Sequence, residues 1–289
     1  MKKFTKVVAL VLALVFVVSA FAGCGGKENK PEANAAKVKV ISINLTEEEY
    51  AFGVSKKDPE LLKSVNELLK EMNEDGTIDA IMEKYFGGAE TTPIVSAKED
   101  PAKDQLVVVT EAGFPPFEYK QGEGFLGIDM EIAKLLAEKL GKELVIKHVS
   151  FDAILSQVES GYADIAMAGL TVNDERKKQV NFSETYYEAS QNIIVKEGDT
   201  TFDNCKTKED VEKILNTFDS KVKIGAQRGT TGEYYVKGDP DWGFTGFKTT
   251  FVGYDNGALA VQDMLNGNLN YVVIDKAPAA SIAKSVNGK

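Results

Sequence analysis

The sequence predicts an α/β protein with two domains and mostly parallel sheets. From residue 38 onward, short apolar runs typical of strands alternate with segments whose apolar residues recur at helical spacing. Such alternation is typical of parallel sheets covered on both faces by helices. The length of 289 residues suits two domains of ordinary size, and 43% hydrophobic with 27% charged residues is the composition of a globular protein.

The composition also excludes several classes of function. The formal net charge of −10 argues against nucleic acid as a partner, because phosphate binding needs a basic surface. One histidine and two cysteines leave too little material for a histidine-based catalytic site or a cysteine-rich zinc site. We therefore expect no metal site and no histidine-based catalysis.

Glycines with GxGxxG spacing at residues 122–127 match the dinucleotide-binding fingerprint and precede a predicted helix. The residues before them contain Pro115-Pro116 instead of the buried strand that a dinucleotide site requires. The pattern is better explained as a tight turn that leads into the helix. We therefore expect no cofactor.

The first residues are predicted to direct export. Lysines precede an apolar run at residues 7–18, which has the length of a signal-peptide core and is too short to span a bilayer comfortably. Phe21-Ala22-Gly23-Cys24 resembles a bacterial lipobox, which implies removal of residues 1–23 and a lipid on Cys24. Residues 24–37 then form a flexible tether to the extracytoplasmic face of the cell membrane. Plain secretion is the alternative.

Two strands and two helices are predicted before the first linker. The strands lie at residues 38–43 and 50–54. Asp58-Pro59 is typical of a helix start, and Asp75-Gly76 turns the chain into a second helix that Gly87-Gly88 ends. Residues 89–104 contain two prolines and no periodicity, so we predict a linker there.

After this linker the alternation continues to the end of the chain. The predicted strands lie at residues 106–110, 144–148, 164–168, 191–195, 222–225 and 271–274. The predicted helices lie at residues 128–140, 151–160, 173–180, 208–215, 231–236, 256–265 and 276–286. Because the second set begins near residues 181–187, we predict domain one at residues 38–182 and domain two at residues 183–289.

Five segments of the chain carry a resemblance to a known family. They are residues 108–119 (VVTEAGFPPFEY), 124–133 (GFLGIDMEIA), 164–183 (DIAMAGLTVNDERKKQVNFS), 227–232 (QRGTTG) and 271–278 (YVVIDKAP). They resemble, in a compatible order, the polar amino-acid solute-binding proteins (family 3) of bacterial ABC importers. The resemblance implies a type II periplasmic-binding-protein-like fold, in which two domains close about a hinge on an L-amino acid and deliver it to an ABC permease. It also implies a binding protein with no catalytic residues and no enzymatic activity.

One segment is out of the family's order. Residues 48–87 resemble the part that comes last in the family, yet here they come first, which implies a circular permutation. Residues 89–104 would join the family's usual termini, and residues 38–43 would be the second interdomain strand beside the one near residues 181–187. A fusion with a duplicated tail is the less favoured reading, because no second copy of residues 48–87 exists. We expect a monomer in preference to a domain-swapped dimer.

The resemblance assigns the ligand's carboxylate to residues that suit an anion. Arg176, in the first turn of the predicted helix 173–180, can donate two hydrogen bonds to a carboxylate. Thr171 and the backbone of Ala168 and Gly169 lie just upstream and would complete the cradle.

The second domain is expected to close on the same ligand. Thr230 and Thr231, at a helix start with capping-box spacing, would offer backbone N–H groups and a hydroxyl to the carboxylate. Asp275, at the end of a predicted strand, would pair with the ammonium group. Phe114 and Phe151 would sandwich the ligand's side chain.

Glu111 is the residue from which we predict specificity. A carboxylate in the side-chain pocket, with Gln227 beside it, favours arginine, lysine or ornithine, because an unpaired buried charge is costly. Glu111 can also accept a hydrogen bond from an amide, so a neutral polar amino acid such as glutamine is the alternative. Two other classes stay open: a periplasmic dehydratase-like enzyme, for which Glu111 is the one candidate acid or base, and a ligand sensor.

Overall fold

The computed structural model describes residues 37–288. The predicted signal peptide, Cys24 and nearly all of the predicted tether lie outside these residues. Within the described part of the chain, no helix combines the length and the apolar character needed to cross a membrane. Two five-stranded sheets, each packed against helices, are joined by a short two-stranded ladder.

The strands follow the predicted positions, with several additions. In chain order they are β1 (Val38–Ile41), β2 (Glu48–Tyr50), β3 (Gly53–Ser55), β4 (Gln105–Thr110), β5 (Gly113–Phe114), β6 (Glu118–Gln121), β7 (Gly124–Leu126), β8 (Glu143–His148), β9 (Ile165–Ala166), β10 (Val180–Phe182), β11 (Tyr187–Ala189), β12 (Gln191–Lys196), β13 (Lys223–Gln227), β14 (Thr250–Tyr254) and β15 (Tyr271–Asp275). The helices are α1 (Pro59–Glu74), α2 (Thr77–Gly87), α3 (Ile128–Leu140), α4 (Ile154–Ser160), α5 (Asp174–Lys177), α6 (Lys208–Leu215), α7 (Thr231–Lys237), α8 (Gly257–Leu265) and α9 (Lys276–Asn287).

Lobe one is built on the sheet with strand order β10-β3-β9-β4-β8. Helices α1, α2 and α3 pack together beside this sheet, and α4 contacts its strands β3, β4 and β9. The apolar faces of α1 to α3 are buried because their leucines, isoleucines and methionines recur at helical spacing. Lobe two is built on the sheet β1-β12-β15-β13-β14, with α7, α8 and α9 packed on it.

The α/β fold is confirmed, but both sheets are mixed rather than mostly parallel. In lobe one β9, β4 and β8 run parallel, whereas β10 and β3 pair antiparallel. In lobe two β15, β13 and β14 run parallel, whereas β1 and β12 pair antiparallel. Strands that helical crossovers return to a sheet run parallel, whereas β3 and β12, which follow the connection between the lobes, run the opposite way. The edge strands β10 and β1 are antiparallel to β3 and β12, so they run in the same direction as the parallel strands.

The connection between the lobes is the ladder of β2 and β11, which we call the crossover ladder. Glu48 pairs with Ala189 and Tyr50 with Tyr187. The prediction that residues 38–43 form an interdomain strand is wrong: β1 is an edge strand of lobe two, paired with β12. Residues 38–41 therefore belong with lobe two and not with the predicted domain one. Both β1 and β2 are short, and only their pairing partners distinguish their roles.

Local signals explain where most helices begin and end. The Asp58 side chain accepts a hydrogen bond from the N–H of Leu61 at 2.9 Å, so it caps α1 as expected from Asp58-Pro59. The predicted helix 173–180, in contrast, is only the four-residue α5. It stops early because Val180–Phe182 pairs with β3 as strand β10.

The predicted linker 89–104 contains no helix or strand, yet it lies along lobe one. The N–H of Ile94 donates to the carbonyl of Phe125 at 2.8 Å, and that of Ala97 donates to the carbonyl of Leu144 at 2.8 Å. The GxGxxG segment forms the turn between β6 and β7 and the entry to α3. Gly127 there has φ +127°, and a side chain on it would lie 2.0 Å from the carbonyl oxygen of Phe117, so only glycine fits.

The last turn of α9 is fixed to the first residue of β1. Asn287 Oδ1 accepts from the N–H of Val38 at 3.0 Å, and Asn287 Nδ2 donates to the carbonyl of Val38 at 2.9 Å. One side chain thus satisfies both polar groups of an edge-strand residue.

Replacing Asn287 by alanine should destabilise the protein. Two part-buried hydrogen bonds are lost, for a cost of about 1–2 kcal/mol in the free energy of unfolding. For a chain of this size, the midpoint of thermal unfolding, Tm, should fall by about 2–8 °C in calorimetry. Asn73→Ala on the exposed face of α1 is the matched control and should not lower Tm. Equal Tm values for the two variants would contradict the role given to Asn287.

Candidate functional site

A small cavity, about 10 Å³, lies between the two lobes. Nine of the eleven predicted site residues line it: Phe114, Phe151, Gly169, Thr171, Arg176, Gln227, Thr230, Thr231 and Asp275. The other two are adjacent, since Ala168 precedes Gly169 and Glu111 accepts a hydrogen bond from Gln227 at 3.2 Å. The residues come from both lobes, and the space between them is far smaller than an amino acid. The lobes are therefore closed on one another and must separate to admit a ligand.

Three larger spaces share lining residues with this cavity. One of about 890 Å³ lies beside the crossover ladder and shares Asp275. A second, about 350 Å³, shares Arg176, and a third, about 310 Å³, shares Thr171 and Thr231.

Arg176 is buried in the closed cleft and reaches from lobe one to lobe two. Its guanidinium donates to the carbonyl of Thr171 at 2.8 Å and to the carbonyl of Gly229, across the cleft, at 3.1 Å. Burial lowers the pKa of Arg176 to about 10, so the side chain stays protonated at neutral pH. Carbonyl oxygens fix the direction of the guanidinium without cancelling its charge.

The immediate surroundings of Arg176 differ from the sequence prediction. Because α5 is a single turn, a helix dipole contributes little, and the positive charge of the site comes from Arg176 itself. The N–H of Gly169, predicted to face a ligand carboxylate, donates instead to Asp129 at 3.0 Å. Asp129 is fully buried and also accepts from the hydroxyl of Tyr186 at 2.6 Å, so it positions the backbone of this segment.

An aromatic residue that sequence reasoning missed completes the environment of Arg176. The guanidinium lies between the rings of Phe151 and Trp242, 5.2 and 5.1 Å from their centroids. The Trp242 ring stacks on Tyr234 at 4.2 Å and sits in a tight turn at residues 239–244. The signal was available: Trp242 is the one tryptophan of the sequence and lies in a GDPDWG turn.

Asp275 supplies negative charge from lobe two. It ends β15, is buried, and accepts a hydrogen bond from the hydroxyl of Tyr50 at 2.6 Å. Burial, and then the nearby Glu48, raise the pKa of Asp275 to about 7. Tyr50 belongs to the crossover ladder and was not predicted as a site residue, because a tyrosine in an apolar strand is typical of a core.

Glu48 is a second acid of the site that was not predicted. Its carboxylate accepts hydrogen bonds from Thr46, Thr171, Thr231 and Gln191. In the sequence it stands among consecutive acids, a pattern typical of a solvated surface. The strand alternation of β2, buried at Glu48 and exposed one residue later, was the signal that could have revealed it.

The predicted capping box at the start of α7 is wrong. Thr230 Oγ1 donates to the carbonyl of Gln227 at 2.7 Å and accepts no hydrogen bond from the helix. The Glu233 carboxylate does reach back, and it accepts from the N–H of Gly229 at 2.8 Å. The Thr230 hydroxyl turns toward the preceding loop because the Gln227 carbonyl offers it an acceptor there.

Glu111 is buried near the Gln227 side of the cavity. Burial raises the pKa of Glu111 to about 7, and hydrogen bonds from Gln227 and Gly113 partly oppose this rise. The charged neighbour that acts on it, Asp255, is another acid, and no basic side chain among residues 37–288 offsets its charge. A cationic group entering the cavity would therefore meet an uncompensated carboxylate.

Two α/β lobes, a crossover ladder and a closed cleft with one buried cation and several buried acids define a two-lobe solute-binding protein. The chain belongs to the bacterial extracellular solute-binding proteins, family 3, whose family model matches residues 4–88 and 106–257. The resemblance found in the sequence is thus confirmed at the level of the family.

Individual relatives bind amino acids. The arginine-binding extracellular protein ArtP of Bacillus subtilis is 35% identical over 143 residues, which are 49% of this chain and 51% of that protein. The chain therefore spans about half the length of this curated relative.

Solved structures give the same picture. An ancestral arginine-binding protein bound to arginine is 37% identical, with a TM-score of 0.54 over 63% of this chain and 75% of that one. An ancestral amino acid-binding protein, a precursor of cyclohexadienyl dehydratase, is 32% identical, with a TM-score of 0.54 over 72% of this chain and 78% of that one.

The buried acids make the stability of the ligand-free protein depend on pH. Glu111, Asp129 and Asp275 have pKa values of about 7 in the folded protein, against ordinary values of 4.5 and 3.8. Between about pH 4 and pH 7 the folded protein therefore binds more protons than the unfolded chain, and the free energy of unfolding falls as pH rises. We expect Tm to decrease from pH 5 to pH 8, because each acid contributes a loss of at most about 1.4 kcal/mol per pH unit below its folded pKa.

Calorimetry of ligand-free protein from pH 5 to pH 8 checks this expectation. Glu111→Gln should flatten the pH dependence, because it removes one of the buried acids whose pKa is raised. Glu123→Gln, at an exposed acid, should leave it unchanged. A Tm that rises with pH in this range would show that these acids are ionised in the folded protein.

Proposed function

We propose that this protein captures a free L-amino acid with a cationic side chain and delivers it to an ABC permease in the membrane. The observation that carries the proposal is the arrangement of buried charges around one cavity. Arg176, Asp275 and Glu111 match the carboxylate, the ammonium group and the cationic side chain of such a ligand. Each of these side chains is buried, so leaving it unpaired is costly.

The ligand's α-carboxylate is assigned to Arg176. Its orientation is fixed by the carbonyls of Thr171 and Gly229, and a planar guanidinium offers a carboxylate two parallel hydrogen bonds. The two carbonyls come from different lobes, so this orientation depends on closure.

The cationic end of the ligand is assigned to Glu111, with the rings of Phe114 and Phe151 along the side chain. A cation would satisfy the buried carboxylate that Gln227 only partly satisfies. The similarity to arginine-binding proteins supports this choice.

A neutral polar amino acid such as glutamine is the alternative ligand. The amide of Gln227 donates to Glu111, and a ligand amide that donates to the same acid is consistent with this contact. A solved ancestral arginine-binding protein bound to glutamine, 37% identical with a TM-score of 0.52, supports this alternative. Dehydratase-like catalysis is the alternative activity, since Glu111 is an acid with a pKa of about 7 and one solved relative is a precursor of a dehydratase.

Capture and delivery follow from closure. A ligand that touches both lobes binds the closed state more tightly than the open one, and therefore shifts the population toward closure. The closed form is what we propose the permease recognises. In the same proposal, the protein is a monomer anchored by a lipid on Cys24 at the extracytoplasmic face of the membrane.

We also propose that the chain is a circular permutation of the family's usual order. Residues 48–87 supply β2, β3, α1 and α2, which precede every other element of lobe one. The family model matches in two segments on either side of residues 89–105. Asn287 brings the end of α9 against the start of β1, which is the proximity that new termini at this point require.

Calorimetric titration tests the proposed function. Residues 25–289 are unfolded and refolded to remove bound ligand, then titrated with arginine, lysine, ornithine, glutamine and histidine. We expect one-to-one binding of a cationic amino acid near micromolar, about −8 kcal/mol. Fluorescence of Trp242, whose ring covers Arg176, gives a second readout. Binding of glutamine alone would discard the cationic ligand, and binding of none would discard the function.

Arg176→Ala should weaken binding strongly. Without the guanidinium the ligand's carboxylate is buried unpaired, which costs roughly 3–5 kcal/mol, or more than a hundredfold in Kd. Lys177→Ala, which removes the next basic side chain from an exposed position, should bind as the wild type does. An Arg176→Ala protein that binds within threefold of the wild type would refute the carboxylate assignment.

Glu111→Gln should change specificity. Loss of the carboxylate should weaken arginine by roughly 2–4 kcal/mol, while the affinity for glutamine should stay within threefold. Glu123→Gln, at an exposed acid away from the cavity, is the charge-matched control. An unchanged ratio of the two affinities, measured by competition, would remove Glu111 from the side-chain pocket.

A further inference from the structure

Glu48 is buried, with 9% of its surface exposed, and its carboxylate is saturated with hydrogen bonds. Oε1 accepts from Thr46 Oγ1 at 2.5 Å and from Gln191 Nε2 at 3.0 Å. Oε2 accepts from Thr171 Oγ1 at 2.6 Å and from Thr231 Oγ1 at 2.7 Å. A carboxylate has about four acceptor positions, and here each is used.

The two hydroxyls on Oε2 are also walls of the ligand cavity. Thr171 and Thr231 both line it, and their oxygens lie 3.4 Å apart. A hydroxyl has one proton, so a threonine that donates to Glu48 presents only lone pairs to the cavity. Such lone pairs accept hydrogen bonds from an ammonium group and cannot donate to a carboxylate. The hydroxyls therefore act beside Asp275, in contrast to the sequence-based expectation that they face the ligand's carboxylate.

The partners of Glu48 come from both lobes. Thr171 belongs to lobe one, whereas Thr231 begins α7 and Gln191 begins β12 in lobe two. The N–H of Gln191 in turn donates to Thr46 Oγ1 at 2.8 Å, which fixes that hydroxyl. When the lobes separate, Oε2 cannot keep both threonines, because they move with different lobes.

The neighbouring Glu49 carries the same charge as Glu48 but does not make the same contacts. Glu49 lies on the same strand but is exposed, and its carboxylate accepts only a long hydrogen bond, 3.4 Å, from Thr185. The two acids point to opposite sides of β2 because successive side chains of a strand alternate.

We propose that Glu48 is a positioning residue that joins the two lobes in the closed state and directs the protons of Thr171 and Thr231 away from the ligand. Its effect on affinity rests on the proposed function, whereas its effect on closure does not. Glu48 contacts Thr171 and Thr231, and it acts on the ligand through these two hydroxyls.

Glu48→Gln tests the proposal in a protein of nearly unchanged shape. The new amide nitrogen is a donor, so the two partners on its side of residue 48 lose their acceptor. Where that side is the Oε2 side, a freed threonine proton turns toward the cavity. We expect L-arginine, or L-glutamine if that is the ligand bound, to bind at least tenfold more weakly. Stopped-flow fluorescence of Trp242 should show that faster dissociation causes most of this loss. Glu49→Gln removes the same charge from the same strand and should bind within twofold of the wild type.

A double-mutant cycle separates positioning from a general loss of structure. In a protein carrying Thr171→Val and Thr231→Val, the oriented hydroxyls are absent, so adding Glu48→Gln should change the affinity by less than threefold. A tenfold loss in both backgrounds would overturn the proposal. If Glu48→Gln does not fold, Glu48→Asp keeps the charge but is too short to reach both hydroxyls, and wild-type affinity in that variant would also overturn it.

Small-angle X-ray scattering of the ligand-free protein tests the role of Glu48 in closure without knowledge of the ligand. If Glu48 holds the lobes together, the radius of gyration of Glu48→Gln should be larger than that of Glu49→Gln. If the wild type binds no amino acid, the proposed function fails, and this comparison alone decides the role of Glu48. Equal radii would then overturn it, and a larger radius for Glu48→Gln would support it.

Discussion

The three-residue crossover ladder between β2 and β11 is the constraint on which the rest of the structure depends. It joins the two five-stranded sheets, because β2 leads into β3 of lobe one and β11 leads into β12 of lobe two. Two of its side chains enter the site directly: Tyr50 donates to Asp275, and Glu48 binds threonines of both lobes. The hinge and the binding cleft are therefore one hydrogen-bonded unit. A conformational change in the crossover ladder therefore also changes the hydrogen bonds of the cleft.

The cost of burying charge explains why this unit can respond to a ligand. Arg176, Asp275 and Glu111 are all buried in the closed form, and the protein supplies carbonyls, a tyrosine hydroxyl and an amide as their partners. Such partners are weaker than a full opposite charge. A ligand that supplied opposite charges to both lobes would therefore stabilise the closed form more than the protein's own hydrogen-bond partners do.

Much of the fold could be predicted, because periodicity and caps are local signals. The Asp58 cap of α1 and the apolar spacing of α3 place both helices where the structure has them. The interdomain strand was misassigned, because β1 and β2 differ in pairing partner and not in composition. The predicted helix 173–180 extended too far, since the pairing of β10 with β3 is a tertiary contact that overrides a helical pattern.

The residues of the candidate site also divide into those that local sequence signals predicted and those that depend on distant contacts. Residues such as Arg176 and Asp275 were found because short motifs mark them, and the structure brings them to one cavity. Glu48 and Tyr50 carry no such motif, and their importance depends on partners more than a hundred residues away. Trp242 was missed for a related reason, since it acts by covering a residue of the other lobe.

The raised pKa values of Asp275 and Glu111 have a consequence for the thermodynamics of capture. At neutral pH these acids are partly protonated in the ligand-free protein. A cationic ligand favours their ionised forms, so its entry expels a fraction of a proton into the solvent. The apparent heat of binding then varies with the ionisation enthalpy of the buffer. Under the proposed function, acidification outside the cell would compete directly with capture of the ligand.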